Sequence, residues 1–471
     1  MKNKTKKWLS MLLAGALSIG AFVGCTPAGM EGNEDDDPND TRTRLRISVY
    51  QAGFGIDWLK SIASEYEKEN TDVKVVVTGD VGMEGLAQAA IETGGDGVSD
   101  IYSCISYANY YKNANFDANN DGESDRLVCM DDFYDEEIEE GKTLRDIMIP
   151  AFDKVVNLDG HYYGVPWDTS VTGIMYNVSM FNTHGWEVPE TMEEFYTLCN
   201  QIKAKNIAPL GFSGGIADGY LSLLYGGLWA QIGGEEDIEE FFKFESAKVY
   251  QQESRLKAYE TIGTIFGNTN WLLSGAKGMS NIEMQQAFLE GDCAMIICGS
   301  WFKTEMSAFL SEYPNFQCAM MPLPYVDATK AQDPNAKNGN LSQATMLVVP
   351  KEAKNPDIAK DFLKFMNTKK MLKMYTDKTN GNMRPFTYEG VDFGQRGVWE
   401  ESLYNIFKNS YHLYPVSYEE QFRLGNLKEL YIAGDGSICD EFTKCTSVAQ
   451  GLSMAKSLWE QDYTIASRFL K

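Results

Sequence analysis

A strand–helix–strand pattern near the start of the chain constrains the fold more than any other feature. The stretch RLRISVYQ, residues 44–51, alternates Leu45, Ile47 and Val49 with polar residues, which is typical of a strand with one buried face. DWLKSIASEYEKEN follows with a continuous apolar helical face, and DVKVVVTGD is rich in β-branched residues. A further helix and the short strand DIYSCI complete the pattern. Strands that alternate with helices predict an α/β fold with a mostly parallel sheet.

The same pattern restarts later in the chain. TMEEFYTLCNQIKAKN begins with Thr191 and Glu194 at the spacing of a helical capping box. GDCAMIICGSW and QATMLVVP are typical of buried strands, and Pro356 begins the amphipathic helix NPDIAKDFLKFMN. The sequence therefore predicts two α/β lobes, and ligands of open α/β sheets lie at the carboxyl ends of the strands.

The first 43 residues are not predicted to belong to either lobe. MKNKTKKW is basic, Leu9 to Val23 is an apolar run, and FVGC follows, so residues 1–24 are predicted to be a signal peptide. Cys25 after Gly24 resembles the lipobox of bacterial lipoproteins, which implies that Cys25 carries lipid. An ordinary signal peptide with a chance cysteine is the alternative. Residues 25–43 are acidic and poor in apolar residues, which predicts a disordered tether.

The charge of the chain excludes several kinds of partner. Asp and Glu number 67 against 42 Lys and Arg, for a net charge of -25. A surface this acidic repels nucleic acid and anionic lipid, so membrane contact is expected through the lipid anchor only.

The three histidines, His161, His184 and His412, show no metal-ligand or catalytic-triad spacing. No catalytic motif is present, and we expect no enzyme activity and no cofactor for function.

FDANNDGESDRLV, residues 116–128, is similar to a calcium-binding loop. Oxygen-bearing residues recur at the offsets that such loops use, and Gly122 stands at the sharp turn. The candidate ligands are Asp117, Asn119, Asp121, Glu123 and Asp125. The twelfth position is Val128, where these loops have a bidentate glutamate. The hypothesis is a structural calcium ion that holds a surface loop, and a turn without an ion is the alternative.

Five segments in order resemble one protein family. They are the opening ISVYQ with WLKSIASEYEKEN, then YYGVPWDTSVTGIMYNVSMFNTHGWEVPETMEEF, FLEGDCAMIICGSWFKTEM, MPLPY and LVVPKEAKNPDIAKDFLKFM. Together they resemble the extracellular solute-binding proteins of bacterial ABC transporters, in the family that includes the maltose-binding protein. The resemblance implies a type II periplasmic-binding-protein-like fold. Each lobe would have a mixed, mostly parallel sheet flanked by helices, with the ligand cleft between the lobes.

The resemblance also implies a division of the chain and a set of partners. We expect residues 44–156 and 299–352 in lobe 1, and residues 157–298 and 353–471 in lobe 2. The hinges would lie near Val165 to Gly173 and near Cys298 to Trp301. The partners would be a carbohydrate and the permease subunits of an ABC importer, and the protein would be a monomer outside the cytoplasm.

A sugar needs an aromatic plane for its apolar face and fixed polar groups for its hydroxyls, which selects the candidate ligand-binding residues. They are Trp301, Trp167, Asp168, Trp229, Tyr50, Gln51, Asp80, Ser103, Asn340 and Arg384. Core packing is the alternative for each tryptophan, and for Arg384 it is a helix cap or a surface ion pair. The predicted function is a lipid-anchored receptor for a carbohydrate. A secreted carbohydrate-active enzyme with paired carboxylates and a receptor for a non-sugar solute are the alternatives.

Overall fold

The structure, a computed structural model, describes residues 39–51, 53–104, 107–158, 160–243, 245–333, 335–341, 345–410, 441–468 and 470. The predicted signal peptide, Cys25 and most of the predicted tether lie outside these residues. None of the described helices is both long and apolar enough to cross a membrane.

The described strands include the five predicted from the sequence. In chain order the described strands are β1 (Thr43–Tyr50), β2 (Val73–Asp80), β3 (Ile101–Cys104), β4 (Glu137–Glu139), β5 (Lys142–Thr143), β6 (Asn157–Leu158), β7 (His161–Tyr162), β8 (Gly164–Pro166), β9 (Thr172–Asn177), β10 (Ala208–Gly211), β11 (Cys293–Gly299), β12 (Cys318–Met321) and β13 (Met346–Val348). The five predicted strands are β1, β2, β3, β11 and β13.

The α-helices lie between and after these strands. In chain order they are α1 (Asp57–Glu69), α2 (Met83–Thr93), α3 (Tyr107–Ala114), α4 (Asp131–Asp135), α5 (Leu144–Ile147), α6 (Pro150–Val156), α7 (Val178–His184), α8 (Met192–Lys203), α9 (Ala217–Lys243), α10 (Glu253–Gly267), α11 (Asn281–Glu290), α12 (Phe302–Glu305), α13 (Ser307–Leu310), α14 (Pro356–Phe365), α15 (Lys369–Lys378), α16 (Val398–Lys408) and α17 (Val448–Ala466).

Local sequence patterns account for most of these elements. The predicted apolar face of α1 is buried, from Trp58 to Tyr66, and the predicted capping box of Thr191 and Glu194 is present at the start of α8. The N-cap of α1 is Ile56, which makes no side-chain capping bond. The buried face, and not a cap, therefore holds α1 in place.

The first lobe is built on a sheet with the strand order β2–β1–β3–β13–β8. Strands β1, β2 and β3 are parallel, and β13 runs antiparallel to both β3 and β8. Helices α1, α14 and α15 pack together in this lobe. The Tyr66 ring of α1 lies edge-on to Phe362 and Phe365 of α14, with ring centroids 5.2 and 5.4 Å apart. The Tyr66 hydroxyl also donates to Asp361 at 2.7 Å, and Lys370 of α15 pairs with Glu65.

The second lobe is built on a sheet with the strand order β10–β11–β9–β12. Strand β10 is parallel to β11, and β9 is antiparallel to β11 and β12. Every residue of β11 is buried, as its continuous apolar run predicts.

The C-terminal helix α17 belongs to the second lobe because it packs on α10. Gly263 and Gly451 bring the two backbones together, since a Cβ atom at either position would overlap the other helix. More than two turns away along the same two helices, Arg255 donates to Asp462 at 2.9 Å, and both side chains are buried. A buried charge is tolerated when it is paired in this way.

The sheet pairing corrects the predicted division of the chain. Strand β8 pairs with β13 of the first sheet, so the chain leaves the first lobe after Pro166 and not near residue 156. Residues 299–341 were expected in lobe 1, but β12 pairs with β9 of the second sheet. Helices α14 and α15 were expected in lobe 2, but they pack on α1 of the first lobe. The described chain crosses between the lobes at 167–171, between β12 and β13, and between α15 and α16.

Candidate functional site

Trp301 lies where the two lobes meet. It follows β11 of the second lobe, and its half-buried ring lies over Gly299, where a Cβ atom would overlap the ring. On the other side is the loop after β1 of the first lobe: a Cβ atom at Gly53 would lie 3.3 Å from the Cβ of Trp301. The carboxyl ends of β1 and β11 therefore face each other across this tryptophan, as expected for a ligand site of α/β sheets.

Polar and aromatic side chains of the second lobe surround Trp301. The rings of Tyr220 and Trp301 lie edge to face, with centroids 6.4 Å apart. The Nε2 group of Gln285 donates to Glu305 at 2.7 Å, and Gln285 also hydrogen-bonds the Tyr220 hydroxyl. Glu305 lies one helical turn after Trp301, and burial raises the pKa of its carboxyl group against the opposing effect of the Gln285 hydrogen bond. This face offers an aromatic plane beside hydrogen-bonding groups.

The first lobe presents Tyr50 to this face. The Tyr50 main-chain N–H donates to the buried Ser103 hydroxyl at 2.8 Å, which fixes the end of β1 on β3. Burial raises the pKa of the Tyr50 hydroxyl, and the negative charges of Glu305 and Glu84 add to the effect. Because Glu305 belongs to the other lobe, its negative charge acts on Tyr50 across the boundary between the lobes. Ser103 acts on the site through the Tyr50 backbone.

Gln51 and Asp80 lie at the same edge of the first sheet. The Gln51 side chain lies over Gly79, where an added Cβ atom would be 2.7 Å from its Oε1 atom. The Gln51 main chain donates to the carbonyl of Asp80 at 3.1 Å, and the exposed Asp80 carboxylate accepts the N–H of Gly82 at 2.6 Å. The Gln51 side chain thus lies beside Gly79, whereas the Asp80 carboxylate is used within its own turn.

Trp167, Asp168 and Arg384 form a separate group at the first crossing. The Trp167 ring stacks on Trp58 of α1 at 5.0 Å and 14°, and it is 4% exposed. Asp168 accepts the Thr345 main-chain N–H at 2.9 Å and the Thr345 hydroxyl, which ties the first crossing to β13. Burial raises the pKa of Asp168, while the Thr345 hydrogen bonds and the charge of Arg384 oppose this rise.

Arg384 is a structural residue of this crossing. Its guanidinium is completely buried and donates to the carbonyls of Trp167 and Met366, both at 2.8 Å, and of Pro166 at 3.5 Å. Burial lowers the pKa of Arg384 to about 10. Its donors bind main-chain carbonyls in the protein, which contradicts the predicted contact with a ligand. Because Met366 is the C-cap of α14, the alternative of a helix cap agrees with the structure, and that of a surface ion pair does not.

Trp229 and Asn340 lie within the second lobe. Trp229 stacks on Tyr225 with centroids 5.9 Å apart, and its ring is 5.8 Å from the guanidinium of the buried Arg255. Asn340 donates to the Thr172 hydroxyl at 2.7 Å and to the carbonyl of Leu223 at 2.6 Å. Core packing, the alternative weighed for Trp229, is what the structure shows, and Asn340 ties β9 to α9.

Comparison with known proteins now identifies the family. A sequence profile described as bacterial extracellular solute-binding protein matches residues 55–373, about two thirds of the chain. The chain belongs to this family. The resemblance found in the sequence is thereby confirmed.

Two curated relatives and a solved structure extend this result. The multiple sugar-binding protein of Streptococcus mutans is 26% identical over 226 residues, 46% of this chain and 49% of that protein. The diacetylchitobiose binding protein NgcE of Streptomyces coelicolor is 23% identical over 253 residues, 52% of this chain and 51% of that protein. The chain thus spans about half the length of the relatives it matches.

The solved structure is the apo form of RafE from Streptococcus pneumoniae, with a TM-score of 0.63. The structural alignment covers 91% of this chain and 100% of the RafE chain, at 17% sequence identity. At that identity the likeness shows the fold alone, and it confirms the predicted two-lobed, type II fold.

The sequence did not predict every residue that surrounds Trp301. Glu305 had a usable signal, because it lies four residues after Trp301 and these positions share one helical face. Tyr220 and Gln285 come from α9 and α11, far from Trp301 in sequence, and only the packing of the second lobe brings them there. No local pattern marks either residue.

The calcium-like loop is closed by its own hydrogen bonds. The Asp117 carboxylate accepts two main-chain N–H groups of the turn, at 2.9 and 3.2 Å, and Asp125 accepts those of Ala118 and Asn119 and the Asn119 side chain. In the described residues, Asp117, Asp121, Glu123 and Asp125 do not bring three ligand oxygens within 4.8 Å of one another. Calcium at this loop therefore stays a prediction.

Proposed function

We propose that the protein is an extracellular receptor that captures a carbohydrate, most simply an oligosaccharide, between its lobes and delivers it to the permease of an ABC importer. The observation that carries the proposal is the position of Trp301, held between the ends of β1 and β11 beside Tyr220 and Glu305. An aromatic plane binds the apolar face of a sugar ring, and the neighbouring polar groups bind its hydroxyls.

Unpaired polar atoms near Trp301 support a ligand that is rich in hydroxyl groups. The Oγ atom of Ser300, the Oδ1 atom of Asn382 and the Oε1 atom of Gln285 are buried without a hydrogen-bond partner among the described residues. The Nδ2 atom of Asn382 contacts the Ser300 carbonyl at 3.3 Å, so two of these groups are neighbours. Buried polar groups without partners cost stability, and a sugar hydroxyl that reaches them would remove this cost.

The crossings between the lobes supply the mechanism of capture. A ligand that contacts Trp301 and Tyr50 together binds the closed arrangement more tightly than an open one. Ligand binding shifts the open–closed equilibrium only through this difference in affinity. Truncated ligands that reach one lobe alone are expected to bind weakly and without closure.

The relatives support the carbohydrate class. Two of them are sugar-binding and diacetylchitobiose-binding proteins by name, and RafE has a structure in complex with raffinose.

Calorimetric titration with a panel of monosaccharides and oligosaccharides tests the proposal, together with an assay for released reducing sugar. Stoichiometric binding without turnover is the expected result. Release of reducing sugar would favour the enzyme alternative, and binding of no panel member would contradict the carbohydrate class.

Anchoring through Cys25 is part of the proposal, although Cys25 lies outside the described residues. The basic and apolar segments before it support lipidation at this cysteine. Cys25→Ala is expected to leave the protein uncleaved or released into the medium, while Cys445→Ala, which alters a cysteine of the second lobe, stays with the membrane. A Cys25→Ala protein that fractionates with the membrane at the mature mass of wild type would contradict the anchor.

A further inference from the structure

Three side chains of the first lobe gather at a place remote in sequence from Trp301. The Sγ atom of Cys129, a carboxylate oxygen of Asp131 and a ring nitrogen of His161 all lie within 4.8 Å of one another. Cys129 and Asp131 are half-buried, and the His161 side chain is 49% exposed. Among the described residues this is the one group of three such ligands that is close enough to share an ion.

Main-chain hydrogen bonds hold the three residues together. The Met130 N–H donates to the Tyr162 carbonyl at 2.7 Å, and the Tyr162 N–H donates to Oδ1 of Asp131 at 2.8 Å. The first bond joins Met130, which lies between Cys129 and Asp131, to the residue after His161, and the second joins Asp131 itself to that residue. The backbone therefore presents the thiol, the carboxylate and the imidazole to the same point, and Oδ1 of Asp131 is oriented by a neighbour in the way that metal-binding carboxylates commonly are.

The hydrogen bonds within the group favour a cation over a catalytic thiol. Nδ1 of His161 lies 2.7 Å from Oδ2 of Asp131, and the Cys129 thiol also bonds the Asp131 carboxylate. The carboxylate is thus in the middle, whereas a thiol nucleophile needs the imidazole between the thiol and the carboxylate. The thiol and the imidazole thus meet at one carboxylate, and a cation bound by all three groups would replace the contacts between them.

The donor atoms select the kind of cation. One sulfur, one nitrogen and one oxygen are the ligands that zinc uses, while calcium takes six or more oxygens. The negative charge of Glu123 acts on the same thiol and increases the attraction for a cation. We propose that Cys129, Asp131 and His161 bind a zinc-class divalent cation, with solvent in the remaining position.

Binding of the cation requires only proton transfer and changes no oxidation state. The Cys129 thiol releases its proton to solvent and binds the ion as thiolate, and His161 binds through the lone pair of Nδ1 with a proton on Nε2. The ion joins residue 131 to residue 161, which are 30 positions apart, just before β8 and the first crossing. The wide spacing explains why the sequence showed no metal motif at His161.

The test uses the full chain, treated with chelator, kept reduced and then titrated with Co²⁺ and Zn²⁺. Cobalt should bind at one equivalent and give a sulfur-to-cobalt charge-transfer band. Cys129→Ser should lose the band, and His161→Gln should bind cobalt at least about tenfold more weakly. Zinc should raise the melting temperature of the wild type and of the control His184→Gln, an exposed histidine of the second lobe, but not of His161→Gln.

Several results would overturn the proposal. They are the absence of a band in the wild type, a band that survives in Cys129→Ser, or equal zinc affinity in His161→Gln and His184→Gln. Competition by millimolar calcium would also do so, because it would assign the ion to the oxygen-rich loop of Asp117 to Asp125. His161 is half exposed, so His161→Gln is expected to fold even if Cys129→Ser does not.

Discussion

Replacement of Arg384 by methionine should destabilise the protein while leaving carbohydrate binding nearly unchanged. The buried guanidinium makes two hydrogen bonds of 2.8 Å to main-chain carbonyls, and methionine leaves both carbonyls unpaired. Hydrogen bonds from a charged donor contribute about 1.5–3 kcal/mol each, so the expected loss is about 3–6 kcal/mol in the free energy of unfolding. Without the charge of Arg384, the pKa of Asp168 should rise further, so the loss should grow as the pH increases above the ordinary range of a carboxyl group.

Equilibrium unfolding in urea measures this loss, with Arg396→Met as the matched control. Arg396 is partly exposed, pairs with Glu401 at 3.4 Å and lies over Tyr404, so its replacement should cost about 1 kcal/mol or less. The Kd for the carbohydrate should stay within about threefold of wild type in both variants. Unchanged stability with lost affinity in Arg384→Met would show that Arg384 contacts the ligand and would refute the structural role.

Three further predictions concern the cleft and the loop. Glu305→Gln should raise stability at neutral pH. Burial raises the pKa of Glu305, so the charged carboxylate lowers the free energy of unfolding as the pH rises above the ordinary pKa of a glutamate. Urea unfolding at several pH values tests this, and the same pH dependence of stability in Glu305→Gln and the wild type would oppose it. Gly53→Val should weaken carbohydrate binding more than Gly55→Val: both have positive φ, but only Gly53 meets Trp301, so equal effects would contradict the contact. After treatment with chelator, added calcium should raise the melting temperature of the wild type but not of Asp121→Ala; a wild type indifferent to added calcium rules out the ion.

The sequence predicted the elements whose signal is local. Alternation in β1, the apolar face of α1 and the capping box of α8 depend on neighbouring residues, and each is present. The assignment of α14 and α15 to a lobe failed for a different reason. An apolar helical face shows that a helix packs, but not on which sheet, and α14 and α15 pack on α1 instead of the second lobe.

Some residues of the candidate site were chosen by their position at strand ends and others by their side-chain type, and the two choices fared differently. Tyr50 is the last residue of β1 and Trp301 lies two residues after β11, and the rule that ligands lie at the ends of strands selects both residues. The structure brings the loop after β1 against Trp301, and the binding roles of Tyr50 and Trp301 stay predictions. Arg384 and Trp229 are polar and aromatic enough to suit a ligand, yet the interior of the protein uses them. Composition alone does not distinguish these uses, since buried networks and binding sites need the same side chains.

The affinity of Trp301→Ala for the carbohydrate selected from the panel tests the central claim most directly. Trp186→Ala, which removes a half-buried tryptophan stacked on His184 of the second lobe, is the matched control. Loss of an aromatic platform should weaken binding by about 1–3 kcal/mol, or roughly 5- to 150-fold in Kd, while Trp186→Ala binds like the wild type. Equal affinity in Trp301→Ala and the wild type, with both proteins folded, would remove Trp301 from the site and contradict capture between the lobes at this position.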